Sequence, residues 1–144
     1  MAIKHVTLYA CENSMGLSLG LTQDVFAFAS ILQDKILKSR IEISVVTLDG
    51  QPISSFSGLM VNADCALDEV ESTDLVILHG IWGDMDELLI QQAPLYQKLR
   101  YWHQQAIPIM AATTASFLLA EAGLLNDRIS TTHWHKQKEV AERY

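Results

Sequence analysis

Two adjacent threonines, Thr113 and Thr114, stand where a buried strand is predicted to turn sharply into a helix. Residues 107–112 form an apolar run, and residues 114–122 have the apolar periodicity of an amphipathic helix that ends at Gly123. In many α/β enzymes the residue at such a turn is the nucleophile. We therefore expect Thr113 either to contact a ligand through its hydroxyl or to be a small residue that fits a crowded turn.

Other candidate residues follow the remaining predicted strands. In open α/β sheets, ligands bind outside the carboxyl ends of the strands, and here those ends bring residues 11–16, 79–84 and 113–116 to one rim. His79 and Trp82 either line the ligand pocket or are an ordinary loop histidine and a packing tryptophan. Cys11 either has a thiol role or packs as a small apolar residue. No metal site is predicted, because His133 and His135 do not share a helix face.

The elements that would position this rim alternate along the chain. The predicted strands are 3–10, 41–48, 74–79 and 107–112, with a small β-excursion at 54–56 and 59–62. The predicted helices are 20–38, 85–105 with a break near Pro94, and 114–122. The tail 131–144 holds a short helix at most. This order predicts an α/β fold, a doubly wound and mostly parallel sheet with helices on both faces. We expect the fold to lack its C-terminal strand, because the chain stops directly after a charged helix.

The first predicted helix carries apolar residues at the spacing of one helical face, which we expect to be buried against the sheet. The members of this set are Val25, Phe26, Phe28, Ala29, Leu32 and Ile36.

Composition limits the possible partners. The chain has 144 residues, enough for one domain, and a net charge of −7 with its ten basic residues scattered singly. A surface that binds duplex DNA or anionic lipid needs clustered Lys and Arg, so we expect neither partner for this chain. The sequence contains no apolar window long enough to span a membrane and no signal peptide, which predicts a cytoplasmic protein with Cys11 and Cys65 reduced.

A family resemblance is carried by the stretch SFLLAEAGLLNDRISTTHW, residues 116–134. It resembles the class I glutamine amidotransferase-like domains of the ThiJ/PfpI type that are fused to AraC-type DNA-binding regions in bacterial regulators. The stretches DVFAFASIL and DLVILHGIWG resemble the same family more loosely. The resemblance implies a flavodoxin-like, glutamine amidotransferase-like fold over nearly the whole chain.

The enzymatic residues of that family are missing at the matching positions. The resemblance places Thr113 where the hydrolytic relatives have a nucleophilic cysteine, Thr114 where a histidine follows it, and Ser18 near their acidic residue. The Pro-Gly-Gly turn reads Leu78-His79-Gly80, which keeps only its second glycine. The resemblance therefore implies no enzyme and no cofactor, but a shell whose Thr114 and Gly80 amides favour an anionic or carbonyl ligand. The predicted ligand-binding residues are Thr113, Thr114, Gly80, His79, Cys11 and Ser18.

Three functions remain open at this point. The first is a non-catalytic ligand-sensing and oligomerisation domain of an AraC-type regulator, a homodimer that binds a small polar metabolite and contacts DNA only through a separate helix-turn-helix region outside this chain. The second is a small hydrolase or deglycase with Cys11 as its nucleophile, and the third is a dimeric scaffold without a ligand. Tyr101 and Trp102 either form the dimer surface or pack in the core.

Overall fold

The computed structural model describes residues 3–144, which form a sheet enclosed by helices. The strands are β1 (His5–Tyr9), β2 (Glu42–Thr47), β3 (Ile53–Ser54), β4 (Met60–Val61), β5 (Cys65–Ala66), β6 (Leu75–Leu78) and β7 (Ile109–Ala111). The α-helices are α1 (Gly16–Leu37), α2 (Met85–Gln91), α3 (Ala93–Gln104), α4 (Ser116–Glu121) and α5 (Gln137–Arg143), and short 3-10 turns occupy Leu67–Glu69, Thr113–Ala115 and Trp134–Lys136.

The main sheet has five parallel strands in the order β5-β2-β1-β6-β7. The chain winds outward from β1 to β2 on one side and crosses to β6 and β7 on the other, so the direction of winding reverses between β1 and β6. Such a reversal leaves a crevice at the carboxyl ends of the two strands, where ligands bind in doubly wound folds. The predicted doubly wound parallel sheet is confirmed, and β3 and β4 form the small antiparallel excursion.

Helices cover both faces of the sheet, as predicted. Strand residues alternate between the faces, so Leu8 and Ile77 lie under α1 with Phe26, whereas Leu78 joins the larger core beneath the helices of the other face. Trp102 of α3 is 2% exposed in that larger core. Trp102 is therefore a core residue, and only its neighbour Tyr101 is exposed, at 52%.

Helix α1 differs from its prediction in two ways. It begins at Gly16, four residues earlier than expected, because the loop after β1 is shorter than its Asn, Ser and Gly content indicated. The prediction of its buried face is wrong: within α1 only Leu19 and Ser30 are buried, and Phe26 is half-buried. Most of the predicted apolar set points away from the sheet, because helical periodicity identifies an apolar face without identifying what covers it. The exposed members are Val25, Phe28, Leu32 and Ile36.

The region 85–105 confirms the predicted break. Helix α2 starts where the Asp84 carboxylate accepts hydrogen bonds from the amides of Asp86 and Glu87, at 2.9 and 3.4 Å. It ends at Gln92, and Pro94 sits in the first turn of α3, where its missing N–H costs no hydrogen bond. The tail holds the short helix α5, as expected. Among residues 3–144, no helix combines the length and the apolar character needed to cross a membrane.

Candidate functional site

Three loops meet at the carboxyl ends of β1, β6 and β7. The Met15 amide donates to the Gly80 carbonyl at 2.8 Å, and the Trp82 amide donates to the Asn13 carbonyl at 3.1 Å. These bonds join the loop after β1 to the loop after β6 across the crevice where the winding reverses. The rim expected from the strand ends is therefore a single, hydrogen-bonded surface.

Thr114 ties the third loop to this surface. Its hydroxyl donates to the Ile81 carbonyl at 2.6 Å and accepts from the Ile81 amide at 2.9 Å. Thr114 is 2% exposed and its hydroxyl proton is already donated to Ile81, so its side chain is buried and cannot donate to a ligand. Its hydroxyl fixes the position of the turn, and only its backbone remains available for the predicted ligand contact.

Thr113 adopts the left-handed conformation of a nucleophile elbow. Its φ is +51°, between the extended Ala112 and the first turn of α4, and its side chain is exposed. A β-branched residue rarely adopts this conformation, which costs on the order of 1–3 kcal/mol. The Thr132 hydroxyl donates to the Thr113 carbonyl at 3.2 Å and holds the elbow from the far side. The tight turn therefore persists although its residue is poorly suited to it.

Gly80 lies directly beside the elbow. A methyl group at Gly80 would collide with the Thr113 hydroxyl and would lie 3.2 Å from the Met15 sulfur, so close approach of the two loops requires glycine here. The Gly80 amide has no hydrogen-bond acceptor among residues 3–144. The predicted pair of Gly80 and Thr113 is thus in contact, and it combines a buried glycine whose amide is unused with an exposed threonine.

His79 and Ser18 form a second contact beneath the rim. His79 Nδ1 lies 3.2 Å from Ser18 Oγ in the first turn of α1, and within the described chain His79 Nε2 has no partner. His79 is 2% exposed, and burial lowers the pKa of its imidazole to about 4, so it is neutral at pH 7. The structure brings these two predicted residues together, and it places the imidazole under the surface of the rim.

Cys11 is also buried below the rim. It is 4% exposed, its amide donates to Ser14 Oγ at 3.0 Å, and its sulfur lies 3.7 Å from the same oxygen. Burial raises the pKa of the Cys11 thiol to about 11. A thiol that stays protonated at neutral pH is a poor nucleophile, which is the environment of a packing cysteine.

Exposed aromatic and thioether side chains lie beside the elbow. Trp82 and Met15 belong to the segments 79–84 and 11–16 that the sequence predicted for the rim, whereas Phe56 was not assigned to it. Trp82 is 39% exposed, and its ring centroid lies 5.8 Å from that of Phe56 and 6.0 Å from that of His133. Phe56 reaches the rim because its amide donates to the Ser14 carbonyl at 2.9 Å. Met15 is 41% exposed beside Gly80. For Phe56 the available signal was the predicted β-excursion, whose apolar residues lie between turns.

The chain is similar in sequence to a known protein family and to a named regulator. The model of the DJ-1/PfpI family matches residues 23–144. The HTH-type transcriptional regulator CdhR of Pseudomonas aeruginosa is 32% identical over 100 residues, which cover 69% of this chain and 29% of the regulator. The chain thus matches less than a third of that protein's length.

Solved structures share the fold of this chain. A transcriptional regulator from Vibrio parahaemolyticus, described as putative, superimposes with a TM-score of 0.84 at 20% identity, covering 98% of this chain and 72% of that one. An AraC family transcriptional regulator from Pseudomonas putida superimposes with a TM-score of 0.76 at 20% identity, covering 97% of this chain and 72% of that one. The resemblance carried by residues 116–134 is confirmed, and the chain belongs to the DJ-1/PfpI family.

Proposed function

We propose that this chain is a regulatory domain that binds a small polar metabolite at the elbow and does not hydrolyse it. The observation that carries the proposal is Thr113, which keeps the left-handed turn and the exposure of a nucleophile but has no base beside it. Within residues 3–144, no hydrogen bond joins the Thr113 hydroxyl to an imidazole or a carboxylate. Loss of nucleophile and base together normally costs several orders of magnitude in rate.

The nearby imidazole does not supply that base. His79 faces Ser18 of α1, lies beneath the rim, and has a pKa near 4 because of its burial. A general base works best with a pKa near the working pH, so a neutral, buried imidazole of low pKa is a weak proton acceptor for Thr113. This environment favours a structural role for His79.

The elbow nevertheless offers hydrogen-bond donors to a ligand. The buried Gly80, whose amide has no acceptor among residues 3–144, contacts the exposed Thr113, whose hydroxyl is a second donor. The exposed side chains of Met15 and Trp82 add apolar surface beside them. Binding sites of small molecules commonly combine a few fixed polar groups with apolar walls. The arrangement suits a small ligand with a carbonyl or carboxylate oxygen that accepts from both donors.

The regulatory part of the proposal rests on the relatives. The P. aeruginosa and P. putida relatives are named as transcriptional regulators, and the former as HTH-type. In our proposal a helix-turn-helix region outside residues 1–144 contacts DNA, since this chain has a net charge of −7 and no cluster of basic residues. The ligand shifts the domain between two states because it binds one of them more tightly.

The alternative of a hydrolase based on Cys11 has little support. The Cys11 thiol is 4% exposed and its pKa is raised to about 11, whereas a catalytic thiol needs access and a lowered pKa. The third possibility, a scaffold without a ligand, is one of the outcomes of the test below.

Thermal unfolding with a panel of small carboxylates and amides, namely acetate, glycine, acetamide and glutamine, tests the proposal. A compound that binds only the native state at 100 times its Kd stabilises it by about 2.7 kcal/mol, and we expect the Tm to rise by roughly 5–10 °C. Thr113→Asp, which places a carboxylate where the ligand oxygen would sit, should abolish this rise. The matched variant Thr131→Asp, at an exposed threonine with ordinary φ, should keep it.

Two results would overturn the proposal. If none of these compounds raises the Tm, the scaffold without a ligand is the better account. If a compound is consumed by the wild-type chain and not by Thr113→Asp, the elbow is catalytic.

A further inference from the structure

A small cavity opens at the carboxyl ends of β1 and β2, on the other side of β1 from the crevice that holds the elbow. Its volume is about 200 Å³, which is room for roughly six water molecules. Its lining includes Cys11 and Glu12 after β1, Thr47 and Asp49 around the end of β2, and Gln92 between α2 and α3. The cavity is smaller than the sites of drug-sized molecules, so it suits a ligand of a few heavy atoms.

The charged groups around this cavity all have the same sign. The carboxylates of Glu12 and Asp49 belong to the lining, and no lysine, arginine or histidine of the described chain lines it. Neither carboxylate forms an ion pair with another residue of the range 3–144. Because charges of one sign around a cavity raise the local concentration of ligands of the opposite sign, this cavity favours a cation.

Backbone amides hold both carboxylates in position. Both oxygens of Glu12 accept from the Ser54 amide, each at 3.2 Å, and Asp49 Oδ1 accepts from the Gln51 amide at 3.1 Å. Each carboxylate can still accept further hydrogen bonds, because its two oxygens offer about four acceptor sites. A primary ammonium group donates three hydrogen bonds and uses these sites, whereas a quaternary ammonium group donates none.

Gln92 supplies a hydrogen-bond donor to the same cavity. It is 3% exposed, and its Oε1 accepts from the Tyr9 hydroxyl. Burial raises the pKa of that hydroxyl, which therefore keeps its proton and determines which end of the Gln92 amide faces Tyr9. Gln92 Nε2 has no acceptor among residues 3–144, and it is not one of the fully enclosed polar atoms without a partner, which are His79 Nε2 and Ser116 Oγ. Gln92 Nε2 is therefore open to the cavity that Gln92 lines, and it can donate there.

We propose that this cavity is a second binding site, for a small primary amine that also carries an oxygen acceptor. The ammonium group of the ligand binds Glu12 and Asp49, and its oxygen accepts from Gln92 Nε2. A buried donor that is left without an acceptor is costly, so the site recognises the oxygen as well as the charge. The two requirements together distinguish the ligand from a simple alkylamine and from a neutral alcohol.

Three compounds of equal size test the proposal. They are ethanolamine, propylamine, which has a methyl group in place of the hydroxyl, and ethylene glycol, which has a hydroxyl in place of the ammonium group. Each is titrated into the ¹⁵N-labelled 144-residue chain at pH 7 and low salt, and the side-chain amide signal of Gln92 is followed. We expect ethanolamine to bind with a Kd of about 1 mM, because so small a ligand cannot bind much more tightly than tens of micromolar. Propylamine should bind several-fold more weakly, and ethylene glycol should cause no saturable shift up to about 100 mM.

Two double variants test the role of the carboxylates. Glu12→Gln/Asp49→Asn keeps a side-chain oxygen for each backbone amide but removes both charges, and it should weaken the binding of ethanolamine at least tenfold. Asp24→Asn/Glu71→Gln removes the same number of charges at exposed residues outside the cavity, and it should bind ethanolamine like the wild type.

Gln92→Leu tests the recognition of the oxygen. This variant should bind ethanolamine and propylamine equally, because neither finds a donor at that position. It also removes the partner of the Tyr9 hydroxyl, so its far-UV circular dichroism spectrum is compared with that of the wild type. If Gln92→Leu does not fold, the comparison of ethanolamine with propylamine in the wild type decides the same point.

Three results would overturn the proposal. The first is the absence of a saturable shift at Gln92 with ethanolamine, or shifts at the elbow amides of Gly80 and Thr113 in its place. The second is equal binding of ethanolamine by the two double variants, and the third is equal affinity of the wild type for ethanolamine and propylamine. The ligand of the elbow is tested with other compounds, so the failure of either proposal leaves the other unchanged.

Discussion

Replacement of Thr113 by residues that tolerate a positive φ should stabilise the protein. Thr113 has a φ of +51°, a conformation that costs a β-branched residue on the order of 1–3 kcal/mol. Glycine removes this cost but loses about 0.5–1 kcal/mol through the greater freedom of its unfolded chain. We therefore expect Thr113→Gly to raise the free energy of unfolding by about 1 kcal/mol, and Thr113→Asn to raise it by a similar or smaller amount.

Urea unfolding and differential scanning calorimetry measure the effect. For a chain of this length, 1 kcal/mol corresponds to a rise in Tm of about 2–4 °C. Thr113→Val keeps the β-branch and should show no such gain. Thr131→Gly is a matched control at an exposed threonine outside the positive-φ positions, and it should lower stability slightly, because glycine adds only unfolded-state entropy there.

A loss of stability of 1 kcal/mol or more in Thr113→Gly would contradict this expectation. In that case the contact of the Thr113 side chain with the loop at Gly80 would outweigh the conformational cost of the elbow.

Three further predictions concern the residues around the elbow. Gly80→Ala should lower the free energy of unfolding by about 1–3 kcal/mol, because the added methyl collides with the Thr113 hydroxyl. Adding Thr113→Gly to the same chain should restore part of this loss. Equal losses in the single and the double variant would argue against the collision. The pKa of His79 is about 4 when folded and about 6.5 when unfolded, so the unfolded state binds more protons between these values and stability falls as the pH drops from 6.5 towards 4. Between pH 7 and pH 5 the free energy of unfolding, measured with urea, should fall by about 2 kcal/mol in the wild type, and this fall should be absent from His79→Gln. Parallel profiles of unfolding free energy against pH in the two proteins would contradict this expectation. In a Cys65→Ser background, Cys11 should react with Ellman's reagent at least a hundredfold more slowly in the native chain than in urea, because its thiol is buried and has a pKa near 11. Fast labelling of the native chain would support the hydrolase alternative.

The sequence was sufficient to predict the fold because each main element carries a local pattern. The apolar run 74–79 indicated a strand buried on both faces, and Pro94 correctly marked the start of a new helix. The rim followed from topology alone, since parallel strands bring their carboxyl ends to one edge. Gly80 and Thr113 could therefore be placed near each other before their contact was known.

The direction in which side chains face could not be predicted in the same way. Periodicity found the apolar residues of α1, but whether Phe28 or Phe26 meets the sheet depends on how the helix is rotated on β1 and β6. Burial of His79 and Cys11 likewise depends on long-range packing, because both lie in loops that later segments cover. The aromatic border at Phe56 and Trp82 arises from contact between distant loops, which no local pattern records.

In our proposal the elbow binds a small acceptor ligand and leaves it intact. One-bond ¹H–¹⁵N NMR spectra of the labelled chain, recorded through a titration with whichever carboxylate or amide of the panel raises the Tm most and then followed overnight, test both parts at once. We expect saturable shifts concentrated at the amides of Gly80, Thr113 and Thr114, with the compound's own proton signals unchanged the next day. Shifts confined to α1 or to residues 125–144, or steady conversion of the compound, would contradict it.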